Sequence, residues 1–320
     1  LVLAVTPDVQ GVARLTAELG FFLNGTGEGG AESTSSGKKS TKVAPRTGQD
    51  VQADQPPPVP VLGFPDWETL PYDVFSPLPE LISERLLNLH RLPGLRAGVL
   101  VVPVATLLQR LAPRDYVDGH SLVLAVGERL DIDATRLRLD RAGYQCVSQV
   151  IAHGEYAVRG SLLDIFPMGS REPFRIDLFD QEVESIRTFD PDSQRSKDKV
   201  TTIRVLPARE YPLGEEAVAG FRQRYRARFE GNPQHSLIYR EVSAGGTPGG
   251  LEYYLPLFFP ETATLFDYLP SGVLVLEAEG CREAATAFLA GVAQRYEQRR
   301  HDLERPLLPP ADLWLGADAL

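Results

Sequence analysis

HGEYAVRGSLLDIFPMGSREPFRIDLFDQEVESIRTFDPDSQR, residues 153–195, reads as a series of short strands joined by polar turns. Within it, Pro173-Phe174-Arg175-Ile176-Asp177-Leu178-Phe179 alternates with a period of two. That period places Phe174, Ile176 and Leu178 on one face and Arg175, Asp177 and Phe179 on the other. The first face is a core face. The second carries charges, so Phe179 is expected on a wet surface beside a guanidinium, a combination typical of protein contact sites.

Outward from this stretch the pattern is consistent with one small module. From about Gly119 there is a strand (Leu122 to Val126), a helix (Asp133 to Ala142) and then strands through Val205, an α+β unit of under a hundred residues. On either side, strands alternate with helices. Leu1 to Val5 is a strand, and Asp8 caps a helix with Val9, Val12, Leu15 and Leu19 on one stripe; Pro60 to Phe64 resumes a strand. Ser76 and Pro77 read as the N-cap and first position of a helix carrying Leu78, Leu81, Ile82, Leu86 and Leu89, with a buried strand at Val99 to Val102 and a short helix at Thr106 to Leu111.

After Pro207, helices return with Phe221, Tyr225 and Phe229 spaced four apart, then a buried strand at Val273 to Leu276 and a long helix from Arg282 to about Arg300. The fold class this implies is α/β: a discontinuous parallel-sheet domain covered by helices, with a small α+β domain inserted. The division runs 1–118, 119–207 and 208–320, the last part rejoining the first sheet. Gly25 to Pro58 is rich in Gly, Ser, Thr and Pro without apolar period, and is expected to be a disordered insertion.

Composition narrows the function. The 320 residues include 33 basic and 43 acidic ones, a net charge of -10, which argues against binding nucleic acid through bulk electrostatics. No apolar run is long enough for a bilayer, so no membrane partner is expected. Cys146 and Cys281 are too few for a disulfide scaffold, suit a reducing cytoplasm and read as buried small hydrophobes. The five histidines are scattered, and the acids Asp177, Asp180, Glu182 and Glu184 are split between strand faces, so no metal site is expected. The phosphate-loop candidate Gly30 to Ser40 (GAESTSSGKKS) has the wrong glycine spacing and lies in the insertion.

FPDWETLPYDVFSP (64–77), HGEYAVRGSLLDIFPMGS (153–170) and RIDLFDQEVESIRTFDPDSQRS (175–196), in that order, resemble the N-terminal region of the bacterial transcription-repair coupling factor family (Mfd). That region is itself similar to the excision-repair protein UvrB, in a domain order 1A, 2, 1B that falls on the three segments above. The resemblance implies a RecA/helicase-like scaffold and a middle module that recruits UvrA, with Arg159, Arg175 and Phe179 as its contact residues. It implies no catalytic residue and no cofactor in this stretch. ATP, Mg²⁺, the translocase activity and the contacts to DNA and RNA polymerase belong further along the family's chain. A monomeric, cytoplasmic recruitment module is the expectation.

Residue by residue, blander readings stand beside this one. Arg159 suits a solvated strand residue near a bulge, Arg175 an intramolecular pair with Asp177 or Glu184, and Phe179 a satellite core under the Asp180-Gln181 turn. The rival function is a degenerate helicase-type domain that itself binds DNA. It would use Arg222, Arg224, Arg226 and Arg228, or Arg295, Arg299 and Arg300, with Trp67, Tyr72 and Phe75 as stacking platforms.

Overall fold

Strands without polar residues need cover on both faces, and the two central strands of the first sheet are buried that way. A computed structural model describes residues 1–24 and 58–320. The insertion expected over 25–58 therefore lies, except for Pro58, outside the described residues. The first segment runs β1 (Val2–Thr6), α1 (Val9–Asn24), β2 (Val61–Gly63), α2 (Pro79–Arg91), β3 (Val99–Pro103), α3 (Val104–Leu107) and α4 (Arg114–Gly119). Asp8 starts α1 by accepting a hydrogen bond from the Gly11 amide at 2.7 Å. Ala4, Val99 and Val101 face α1 with its Val12, Leu15 and Leu19, whereas Leu3, Val5, Leu100 and Val102 face the main core.

The middle segment comprises β4 (Leu122–Ala125), α5 (Ile132–Arg141), β5 (Gln145–Cys146), β6 (Glu155–Arg159), β7 (Leu162–Ile165), β8 (Phe174–Phe179), β9 (Glu182–Phe189), β10 (Ser196–Val200) and β11 (Thr202–Val205). Six of its strands form one sheet in the order β10-β9-β8-β7-β6-β5, while β11 and β4 pair separately. The third segment adds α6 (Glu215–Arg228), α7 (Leu237–Ser243), α8 (Leu265–Tyr268), β12 (Leu274–Glu277), α9 (Cys281–Arg299) and α10 (Pro310–Leu313). Strand β12 pairs in parallel with β1, giving the first sheet the order β12-β1-β3-β2, so the third segment does rejoin the first. The fold class read from the sequence, a parallel sheet with helices and a further sheet-bearing module, is the one observed.

The two bodies share one apolar core, which runs from Leu3 and Leu100 through Leu206 and Met168 to Ile176 and Ile186. Polar ties join the first segment to the third at Glu210 and to the middle one at Gly169. The buried Arg85 donates from Nε to Glu210 at 2.7 Å and from Nη1 to the Pro65 carbonyl at 2.9 Å, and the Trp67 indole donates to the other Glu210 oxygen at 2.9 Å. Ser83 accepts from the Gly169 amide at 2.8 Å. A second seam joins the loop at 73–76 to the turn at 249–252. A Cβ on Gly250, at φ 76°, would sit 2.3 Å from the Asp73 carbonyl oxygen, and only glycine permits that approach.

Several local expectations are corrected. Helix α2 begins at Pro79, not Pro77. Ser76 instead accepts from the Gly250 amide and donates to Glu252. The short helix after β3 spans Val104–Leu107, because from Leu108 onward the chain bonds to Ala263, Leu313 and Leu315. The expected buried strand at Val273 to Leu276 is an edge strand, and all four residues of β12 are exposed. Cys146 is exposed, on the two-residue edge strand β5; only Cys281 is buried.

Candidate functional site

Register assembles the site. In an antiparallel pair, directly opposed residues point to the same face. Val158, Leu163, Ile176, Ile186 and Val200 therefore form an inner row across β6 to β10, and this row packs on the core. The same registers set an outer row, Ala157, Asp164, Arg175, Arg187 and Lys199, and beside it a second, Arg159, Leu162, Asp177 and Ser185. Phe179 follows one step further along β8, opposite Glu182. The three residues singled out in sequence thus share one face.

Two hairpin turns bring Arg159 and Phe179 to one end of it, while Arg175 lies further along β8, opposite Asp164. The β6–β7 turn is Gly160-Ser161 with Gly160 at φ 62°, the first-position glycine that a two-residue hairpin accepts. The β8–β9 turn is Asp180-Gln181, with φ 50° and 72°, the left-handed pair of a type I′ turn. Its tip is braced: Arg129 donates to the Gln181 side-chain oxygen at 2.9 and 3.2 Å, and the Leu130 amide donates to the Gln181 carbonyl at 2.7 Å. Phe179, just before this braced turn, is 72% exposed, so it is not satellite core. A ring held in water by a fixed hairpin loses little entropy when a partner covers it.

The arginines are organised differently from the expectation. Asp164 is fully buried, and its carboxylate binds Arg175 through two bonds, from Nε at 2.8 Å and Nη2 at 2.9 Å. Arg159 Nη2 donates to the same carboxylate. Arg175 Nη1 donates to the Gln194 carbonyl at 3.1 Å, and its guanidinium lies over the Phe189 ring at 4.9 Å from the centroid. Hydrogen bonding to Asp164 pushes the Arg175 guanidinium above its ordinary pKa. Arg175 is only 17% exposed, against 48% for Arg159. It does not stand free in solvent, nor does it pair with Asp177 or Glu184.

Asp164 is the residue that reading by strand period missed. Its signal was present: a single acid inside the apolar run LLDIF needs a buried cationic partner. Once Asp164 is shared, two guanidiniums face one carboxylate, and the cluster keeps a positive charge with the half-exposed Arg159 side chain open to solvent. Such a cluster accepts a further carboxylate in planar, bidentate fashion.

The residues of the rival site are occupied elsewhere. Arg295 donates to the Pro71 carbonyl at 2.7 Å and Arg299 to the Tyr72 carbonyl. Arg224 donates to the Leu257 carbonyl, Arg226 lies over the Tyr239 ring, and Arg228 pairs with Asp312. Trp67 and Tyr72 are buried, leaving Phe75 as the one exposed ring of the proposed platform. Among the described residues, no group of three or more His, Cys, Asp or Glu is placed to hold a metal ion, and no helix is long and apolar enough to cross a membrane.

Comparison with known proteins converges on the same stretch. Residues 122–211 match the UvrB interaction domain family. The chain is 50% identical over 258 residues to the transcription-repair-coupling factor of Haemophilus influenzae, covering 80% of this chain and 22% of the relative. It is 49% identical over 261 residues to that of Escherichia coli K12, covering 81% and 23%. A Bacillus subtilis relative is 31% identical over 236 residues. The chain thus spans less than a quarter of the length of the first two relatives. The resemblance read from the three sequence strings holds.

Proposed function

We propose that this chain, a UvrB-like stretch related to transcription-repair-coupling factors, is a recruitment module that docks the damage-recognition protein UvrA on the outer face of its middle sheet. Arg159, Arg175 and Phe179 are the contact residues of this reading. The observation that carries it is the buried Asp164 carboxylate, which locks two guanidiniums on the same sheet face as a braced, exposed aromatic ring. Arginine and aromatic anchors in a fixed geometry are the composition of interface hot spots. On this reading the segments 1–118 and 208–320 are a scaffold that presents segment 119–207. ATP, Mg²⁺, translocation on DNA and displacement of RNA polymerase belong to parts of the relatives outside the matched stretch, and this stretch itself carries no catalysis. The module works as a monomer in the cytoplasm.

The test is a pull-down and titration of purified UvrA against the 320-residue chain. Arg175→Ala and Phe179→Ser are each expected to weaken binding by about 30-fold or more, roughly 2 kcal/mol for a hot-spot residue. Undiminished binding by both variants ends the assignment. Strongly salt-dependent binding of the chain to duplex DNA, unaffected by Arg175→Ala, would favour the helicase-type alternative.

A further inference from the structure

Resting on that docking reading, we infer that the contact surface extends across β9 and β10 through Arg187 and Lys199, and that the partner segment it receives is acidic along a line crossing three strands. The register is explicit: Arg175 opposes Arg187 on β9, and Arg187 opposes Lys199 on β10. With neighbouring strands about 4.8 Å apart, the three cations form a line about 10 Å long on one face.

This line is unfavourable by itself. Like charges directly opposite one another destabilise a sheet, and here two such pairs follow in succession in a chain whose net charge is -10. Internal compensation is weak. Asp164 is already shared between Arg159 and Arg175. Asp177 reaches Arg187 at 3.7 Å while also accepting from Ser185 at 3.2 Å. Lys199 makes no ion pair within 4.0 Å among the described residues, unlike Lys197, which bridges Glu172 and Asp190. Protection of an edge strand accounts for a lysine on β10 but not for an arginine on β9, which is paired on both sides.

The face is also polarised. Phe179 and Glu182 mark its hairpin end, and the cationic line lies further along the strands toward the β10 edge. A partner with an apolar residue at one end and carboxylates at the other therefore binds in one orientation. Charges at the rim of an interface act mainly on encounter, so Arg187 and Lys199 set the association rate and its salt dependence, whereas Arg175 and Phe179 set residence time.

The experiment measures association and dissociation rates of purified UvrA with the 320-residue chain at two ionic strengths. Arg187→Ser with Lys199→Ser is expected to lower the association rate about tenfold at low salt, to flatten its salt dependence, and to leave dissociation within about twofold. The charge-preserving pair Arg187→Lys with Lys199→Arg binds as wild type. Arg175→Ala is the control. If it loses binding while the double serine variant associates at the wild-type rate, the extended line is wrong and docking survives. If both variants bind as wild type, the docking reading fails as well. Displacement of UvrA by a short DNA duplex, lost in the double serine variant, would make the line a phosphate-binding surface and overturn the inference.

Discussion

The scaffold and the middle sheet use the same residue type in opposite ways. In the scaffold, guanidiniums turn inward onto the chain's own carbonyls and acids: Arg85 onto Glu210 and Pro65, Arg224 onto Leu257, Arg295 onto Pro71, Arg305 onto Gly249. On the outer face of the middle sheet, Arg159 and Arg175 share Asp164, Arg187 reaches Asp177 at 3.7 Å, and Lys199 lies beyond them opposite Arg187, so donors are left over. An arginine's place in the sequence therefore says little about its role. What its N–H groups already hold says more, and the contrast predicts where substitutions will move stability and where they will move binding.

The largest effect is expected at Arg85. It is fully buried, and removing it leaves Glu210 as a buried carboxylate without its cation. Arg85→Ala should cost about 3–5 kcal/mol, seen as a lower denaturant midpoint. Arg85→Met together with Glu210→Gln should recover much of the loss, because the pair is then removed rather than broken. An Arg85→Ala protein as stable as wild type would erase the distinction drawn between the two regions.

Asp164 sits on the boundary, since it is buried like a scaffold residue yet serves the outer face. Asp164→Ala strands Arg175 without a counter-charge, and should cost about 2–3 kcal/mol while also weakening UvrA binding. Arg159, half exposed, can turn into water. Binding retained at wild-type strength in Asp164→Ala would show that the carboxylate supports folding alone and does not position the arginines.

These two residues also show how far the sequence could be read. The alternation of 174–179 was legible because strand side chains obey a period of two whatever surrounds them, and it placed Phe179 in water correctly. The apolar strands Val2–Thr6 and Val99–Pro103 were legible for a different reason, as short continuous apolar runs of the kind parallel strands buried on both faces carry. Pairing partners were not. That Arg175 meets Asp164, eleven residues earlier, depends on the register between β7 and β8, which the loop at 166–173 sets in three dimensions. Likewise β12 has the composition of a buried strand and lies on an edge, because strand order is a property of the assembled sheet. The line from Arg175 to Lys199 needed two further registers before it existed at all.

A smaller effect belongs to the seam between the first and third segments, through pH. Burial pushes the Glu252 carboxyl up to about 7, against the lowering influence of hydrogen bonds from its own amide and from Ser76. The folded state therefore holds this proton more tightly than the unfolded chain. The stability it contributes is complete below the unfolded value of about 4.5 and is lost as pH rises through about 7. A melt near pH 5 should exceed one near pH 7.5 by a few degrees, and Glu252→Gln should remove that difference. A difference unchanged in the glutamine variant would assign it to another group.

The smallest effect sharpens the comparison most, because it sets one phenylalanine against another. Phe221, on α6, is fully buried against Tyr225 and Phe258, and Phe221→Ala should cost about 3–5 kcal/mol through lost transfer energy and a cavity. Phe179 presents a ring of the same size to water, and its turn is held by Arg129 and Leu130 rather than by the ring. Phe179→Ser should therefore shift stability by less than about 0.5 kcal/mol. The same substitution is expected to weaken UvrA binding about 30-fold. If Phe179→Ser instead lowers the melting temperature by several degrees, the ring packs against the protein in solution, and the face has one anchor fewer than its geometry implies.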